Sequence, residues 1–155
     1  MLGTALTGCG SKNAASEAPA ESNQQTTPAQ QEQSQTEKAL ALINAFATGD
    51  TDTARGLLPD SYIQHNLAYG TGADAFIGSV EYLASADVKT TVNNIRAFED
   101  GDKVFLQTIY NFAGAGEQVA FDIFRFDEDG KIAEHWDVME TIADQSTWQN
   151  QNDKL

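Results

Sequence analysis

Val119–Val138 reads VAFDIFRFDEDGKIAEHWDV, two apolar runs joined by an acidic turn. This pattern predicts two antiparallel strands with alternate side chains on opposite faces. Asp122 breaks the first run, and His135 and Asp137 break the second. Burying a carboxylate inside a strand is costly unless it is hydrogen-bonded, paired or protonated, so Asp122 demands an explanation. If Asp129-Gly130 forms a two-residue turn, Arg125 faces Glu134, Phe124 faces His135 and Asp122 faces Asp137. A bulge would slip that pairing by one residue and bring Trp136 beside Asp122 instead.

Upstream the same period continues. Strands are expected over 88–98, 103–112, 118–126 and 131–141, with short turns at Asp100-Gly101, Gly114–Gly116 and Asp129-Gly130 making neighbours antiparallel. Two-residue turns would set Gln107 across from both Asn94 and Asp122, and Phe105 across from Arg96. One face would then hold Asn94, Arg96, Gln107, Asp122, His135 and Asp137 among Phe105 and Phe124. Before the strands the period becomes helical. A first helix is capped at Thr36 and stopped by Gly49, a second short one runs Thr53–Leu58 and ends at Pro59, and a third covers Ala73–Ser85. Tyr62–Asn66 is a short extended or turn-like segment between them. Helices first and an antiparallel meander afterwards define an α+β domain in which a curved sheet wraps the helices and leaves a pocket.

The 155 residues suffice for one domain, expected over 36–143, followed by a polar tail over 144–155. The net charge of -14, with Lys and Arg scattered, excludes nucleic acid as a partner and disfavours charge-driven binding to anionic lipid. Cys9 is the single cysteine, so no intramolecular disulfide and no clustered-cysteine zinc site is available. Leu6-Thr7-Gly8-Cys9 has the form of a bacterial lipobox, whose cysteine takes a lipid, and residues 1–9 read as a partial lipoprotein signal. Residues 10–35 contain no Val, Ile, Leu, Met or aromatic side chain and are expected to form a disordered tether. An envelope protein held outside the cytoplasm by lipid on Cys9 is the first expectation, and a cytosolic protein with a polar tail is the rival.

Among the pocket candidates, Asp122 suits a general acid or base because aromatic walls desolvate it. Its alternative is a structural pairing with Arg96. His65, at the junction of helices and sheet, is expected at the pocket mouth with Tyr62 and Asn66 beside it. It would help to catalyse or to orient, or only bond a neighbouring carbonyl. Gln107, Phe124, His135, Trp136 and Asp137 complete the substrate-binding set. Trp136 is also readable as core or dimer-interface packing, and Asp137 as a strand-end hydrogen-bond partner. Transition-metal sites usually show closely spaced histidines on one element, and His65 and His135 are far apart, so no metal is expected.

Tyr62–Asn66 (YIQHN), Gly101–Phe105 (GDKVF), Phe121–Phe126 (FDIFRF) and Gly130–Val138 (GKIAEHWDV) resemble the SnoaL-like polyketide cyclases of the nuclear transport factor 2-like superfamily. The resemblance spans residues 36–141. It implies a cone-shaped α+β barrel, often a homodimer through its sheet, and an aspartate at the Asp122 position that serves as acid/base in an aldol ring closure without metal or cofactor. Where those cyclases often carry a histidine on the preceding strand, this chain has Gln107, which would orient substrate rather than move protons. Two functions follow as expectations. One is cofactor-independent acid/base chemistry on a small carbonyl-bearing molecule. The other is a non-catalytic ligand-binding or protein-interaction domain of the cell envelope.

Overall fold

The computed structural model describes residues 33–155, so the lipobox, Cys9 and nearly all of the expected tether lie outside the described residues. Three helices precede a sheet. Helix α1 spans Gln35–Thr48, α2 Thr51–Leu57 and α3 Ala73–Ser85. The strands are β1 Ile63–Gln64, β2 Thr91–Asp100, β3 Lys103–Asn111, β4 Gln118–Phe126 and β5 Ile132–Thr141. Their order in the sheet is β1-β5-β4-β3-β2, and only β1 runs parallel to its neighbour. The α+β expectation holds, with one addition: the Tyr62–Asn66 segment supplies a short fifth strand, which makes the sheet mixed.

Helix α1 begins one residue before Thr36, the expected cap. Ser34 is the cap, in a reciprocal box with Glu37 that satisfies two backbone donors at once. Thr36 instead donates from its amide and hydroxyl to Glu99 on β2 and fastens the helix to the sheet. Helix α1 lies against β2 and β3, and its Leu42 and Ile43 meet Leu106, Phe124 and Ile132 in a core that Val80 of α3 closes. Among the described residues no helix is long and apolar enough to cross a membrane.

Register decides which side chains share the concave face. The last hairpin pairs Asp122 with Asp137, Phe124 with His135 and Arg125 with Glu134, as its alternation predicts. Its loop is one residue longer than expected. Asp127 and Lys131 close the loop around Gly130, whose φ of 69° is the left-handed conformation that suits glycine. The resulting irregularity falls between Arg125 and Phe126, outside the site, so it does not bring Trp136 beside Asp122.

The other two turns differ more. Asp100 pairs with Lys103, so Gly101-Asp102 is the two-residue loop, with Gly101 at the position where a φ of 62° is needed. Phe105 therefore faces Phe98 and Gln107 faces Arg96. A bulge at Ile95 then shifts the phase, so Asn94 pairs with Thr108 on the concave side while Arg96 points outward. Between β3 and β4 the chain takes a 3-10 turn over Phe112–Gly114, and Leu106, not Gln107, lies opposite Asp122. A slip of one residue exchanges the faces of a strand. Arg96, Phe105 and Gln107 are consequently on the convex face and do not join Asp122.

Candidate functional site

Alternation along β4 sends Ala120, Asp122, Phe124 and Phe126 inward, and all are buried. Across β5, Asp137, His135 and Met139 share that face by register. Across β3, Leu106, Thr108 and Tyr110 do so. Helices α1 and α3 cover the far side with aromatic rings, Phe46 and Phe76 among them. Between these layers lies a cavity of about 400 Å³. Its walls are mostly apolar, and its polar lining includes Gln64, Asp122, His135 and Asp137 with Tyr62 and Tyr110, two of its four tyrosines.

Asp122 is 3% exposed and fully engaged. The Tyr110 hydroxyl donates to its Oδ2 at 2.9 Å, and Nε2 of His135 lies 3.2 Å from its Oδ1. His135 stacks on Phe124 at 4.5 Å between ring centres, which fixes the plane of its ring. Its Nδ1 lies 3.1 Å from Oε1 of Gln64. Parallel pairing of β1 with β5 puts Gln64 directly across from His135. Asp137 accepts from Nδ2 of Asn66 at 2.7 and 2.9 Å. Asn66 thus holds the second carboxylate from behind.

Burial pushes the phenol of Tyr110 well above its ordinary value, and the nearby Asp122 carboxyl adds to the effect. Burial also raises Tyr62, helped by Asp137 and then Asp122. Both phenols therefore stay protonated and available as donors throughout the neutral range. Among the described residues neither Lys nor Arg lines the cavity. Two carboxylates and one imidazole in apolar walls favour a neutral or cationic guest and disfavour an anion.

The expected residues separate into two groups. Asp122, Phe124, His135, Asp137 and Tyr62 meet around the cavity, and Asn66 supports them. His65, Gln107 and Trp136 do not meet them. In β1 it is Gln64 that points inward, so His65 points out, stacked on Trp136 at 4.4 Å with Nε2 3.0 Å from Glu134. Arg125 also donates to Glu134, and Arg125 first and His65 second hold that carboxyl below its usual range. The expected mouth position of His65 is corrected to the convex surface, because strand alternation allows only one of two consecutive residues to face the cavity. Gln107 is on the convex face too, yet 6% exposed, because its amide donates to the carbonyl of Lys154 in the C-terminal tail at 2.6 Å. Nor does Asp122 pair with Arg96.

Two residues of the site were not among those singled out. Tyr110 stands in phase with Leu106 and Thr108, and a phenol in an apolar strand was a detectable signal. Gln64 had none, since its partner lies 71 residues away through a parallel contact.

Among the described residues, Asp122, His135 and Asp137 are the group whose ligand-type atoms lie within 4.8 Å of one another. Their oxygens already accept from Tyr110, His135 and Asn66, so a cation there would compete with those hydrogen bonds. His65 lies apart from them, bonded to Glu134 on the other face.

Comparisons with known proteins agree with this architecture. A family model described as "SnoaL-like domain" matches residues 39–135. No curated protein matches. Among solved structures, an NTF2-like protein from Cytophaga hutchinsonii superposes with a TM-score of 0.61 at 17% identity, covering 72% of this chain and 95% of that one. An LEH-like epoxide hydrolase from M. tuberculosis gives 0.60 at 19% identity, with 68% and 82% covered. IdmH from Streptomyces antibioticus, a protein assigned to the polyketide cyclases, gives 0.56 at 18% identity, with 70% and 93% covered. At these identities the structures share a fold, and the fold alone.

Proposed function

The chain belongs to the SnoaL-like domain family, and from that premise we propose that its cavity binds a small, largely apolar, carbonyl-bearing molecule and acts on it by cofactor-independent acid/base chemistry. The observation that carries this reading is a carboxyl 3% exposed at the end of a cavity of about 400 Å³, hydrogen-bonded to both a phenol and an imidazole. Such a group removes a proton alpha to a carbonyl, and a neighbouring phenol donates to the developing enolate oxygen. Asp122 is the base, His135 holds or passes on the proton, and Tyr62 is the available donor, since the one hydroxyl hydrogen of Tyr110 is already given to Asp122. Asp137, fixed by Asn66, receives a donor group of the ligand. Family relationship does not select among cyclase, isomerase and dehydratase chemistry.

The test needs no knowledge of the natural product. Aryl ketones and 1,3-diketones are incubated with the protein in D2O, and deuterium entry alpha to the carbonyl is followed by proton NMR. Wild type is expected to accelerate exchange, and Asp122→Asn to lose that acceleration while remaining folded. Ketone binding without exchange would support the alternative, a non-catalytic ligand-binding or protein-interaction domain.

The convex face favours an interaction as well. Phe98, Phe121 and Val138 are 63%, 55% and 72% exposed there, and register places them on one side with Phe105, Ile123 and Trp136. We assign this face to a homodimer contact through the sheet. The lipobox-like Leu6–Cys9 supports a lipid anchor on Cys9 and an extracytoplasmic location in the cell envelope.

A further inference from the structure

The hydrogen bonds around Gln64 determine where protons sit on His135. A backbone amide can only donate, and that of Asn66 points at Oε1 of Gln64 at 2.9 Å. This identifies the oxygen end of the side-chain amide, since the flipped orientation would set two donors against each other. The nitrogen end donates to the Tyr62 hydroxyl at 3.3 Å, consistent with the same orientation. Nδ1 of His135 therefore faces a carbonyl-type oxygen at 3.1 Å. An unprotonated Nδ1 would press its lone pair against the lone pairs of that oxygen, so Nδ1 carries a hydrogen.

The other ring nitrogen is then constrained. Nε2 faces Oδ1 of Asp122 at 3.2 Å, and a bare nitrogen against a bare carboxylate would again oppose two acceptors. One proton must lie between them, as imidazolium with carboxylate or as imidazole with carboxylic acid. Tyr110 serves the other oxygen, Oδ2, and leaves Oδ1 to His135.

We infer that Gln64 is a positioning residue that locks His135 in the Nδ1–H form and so makes Asp122 and His135 a dyad holding a single proton between Oδ1 and Nε2. The inference deepens the acid/base reading above and names a residue that acts on the chemistry through His135. Its chemical consequence is directional. The dyad exchanges its proton only on the Nε2 side, next to the cavity, because Nδ1–H is spent on Gln64. The dyad also supplies a proton acceptor and, after one transfer, the donor that returns the proton to product, which is what an isomerisation or ring closure without net proton change requires.

The experiment is long-range proton–nitrogen NMR on the unliganded full chain labelled with nitrogen-15. The two histidines are told apart with His65→Gln, a change on the convex face. In wild type the Nδ1 signal of His135 is expected in the protonated, pyrrole-like range. Gln64→Leu, which removes the acceptor, is expected to move Nδ1 to the pyridine-like range and leave the hydrogen on Nε2 toward Asp122. Gln64→Glu, which keeps an oxygen there, is expected to retain Nδ1–H. A wild-type ring with Nδ1 unprotonated overturns the inference by itself, whatever the variants do. An unchanged Nδ1 signal in a folded Gln64→Leu protein overturns the role of Gln64. None of these readings uses a ligand or turnover, so a locked ring in a protein that exchanges no ketone protons would refute the acid/base function alone.

Discussion

Replacing Tyr110 by Phe deletes one hydroxyl from the buried end of the cavity and leaves the ring that stacks on Phe112. Tyr110 is 2% exposed and Asp122 3%, so no solvent stands ready to replace the lost donor. The deleted contact is 2.9 Å long, within the normal range for a good bond. A hydrogen bond to an ionised group contributes about 1.5–3 kcal/mol and one between neutral groups about 0.5–1.5 kcal/mol. Tyr110→Phe, Asp122→Leu and the double variant form a cycle that isolates the contact from the cavity and desolvation changes of each single substitution. Urea unfolding followed by circular dichroism supplies the free energies, with an unchanged denaturant slope as the check that the transitions are comparable. If Asp122 is ionised, the expected coupling is about 1.5–3 kcal/mol, and a value nearer 1 kcal/mol would report a neutral carboxyl. A coupling below about 0.5 kcal/mol would refute the reasoning, because the hydroxyl would then not be donating to Asp122 at all.

Two further outcomes follow from contacts on the convex side. The Glu134 carboxyl is held below its ordinary value of 4.5 by Arg125 and then His65, so the unfolded chain takes up protons before the folded one as pH falls. The stability Glu134 contributes is therefore full above about pH 5 and lost as pH drops through its folded value, and thermal melts should show the gap between wild type and Glu134→Gln narrowing below pH 4.5. Deleting residues 144–155 removes the carbonyl that covers Gln107 and leaves more of the apolar face open, so sedimentation velocity should show tighter self-association than in the full chain, and no change would argue against that face as the dimer contact.

Much of this architecture was legible because a period of two survives substitution of almost any residue. In 119–138 two strands and the turn between them set the pairing, and that placed Asp122, Phe124, His135 and Asp137 together. The errors came from connections. At Ile95 an extra residue shifts the phase of β2, and at 112–117 a 3-10 turn replaces a tight hairpin. Each moved Arg96 or Gln107 to the other face, because a one-residue difference in a loop has no local signature in the flanking strands. His65 is expected at the pocket mouth for its chemistry, whereas a pairing two residues long at the edge of the sheet turns Gln64 inward instead. Glutamine looks inert in a sequence, and its value here comes wholly from what stands opposite.

The two-residue strand β1 has a second consequence. Without Ile63–Gln64 the first half of β5 would be the unpaired margin of the sheet, beside the exposed side chain of Val138, and such a margin is a template for strand addition by another molecule. The amide of His65 donates to the carbonyl of His135 at 2.9 Å and helps to seal it. The peptide that guards this margin is also the one that carries Gln64 and Asn66 to the cavity. Detaching it would release the proton-holding ring and open an aggregation-prone border in one event, so solubility and the order of the cavity should fail together, and a guest that stabilises the closed end should also keep the protein from clumping.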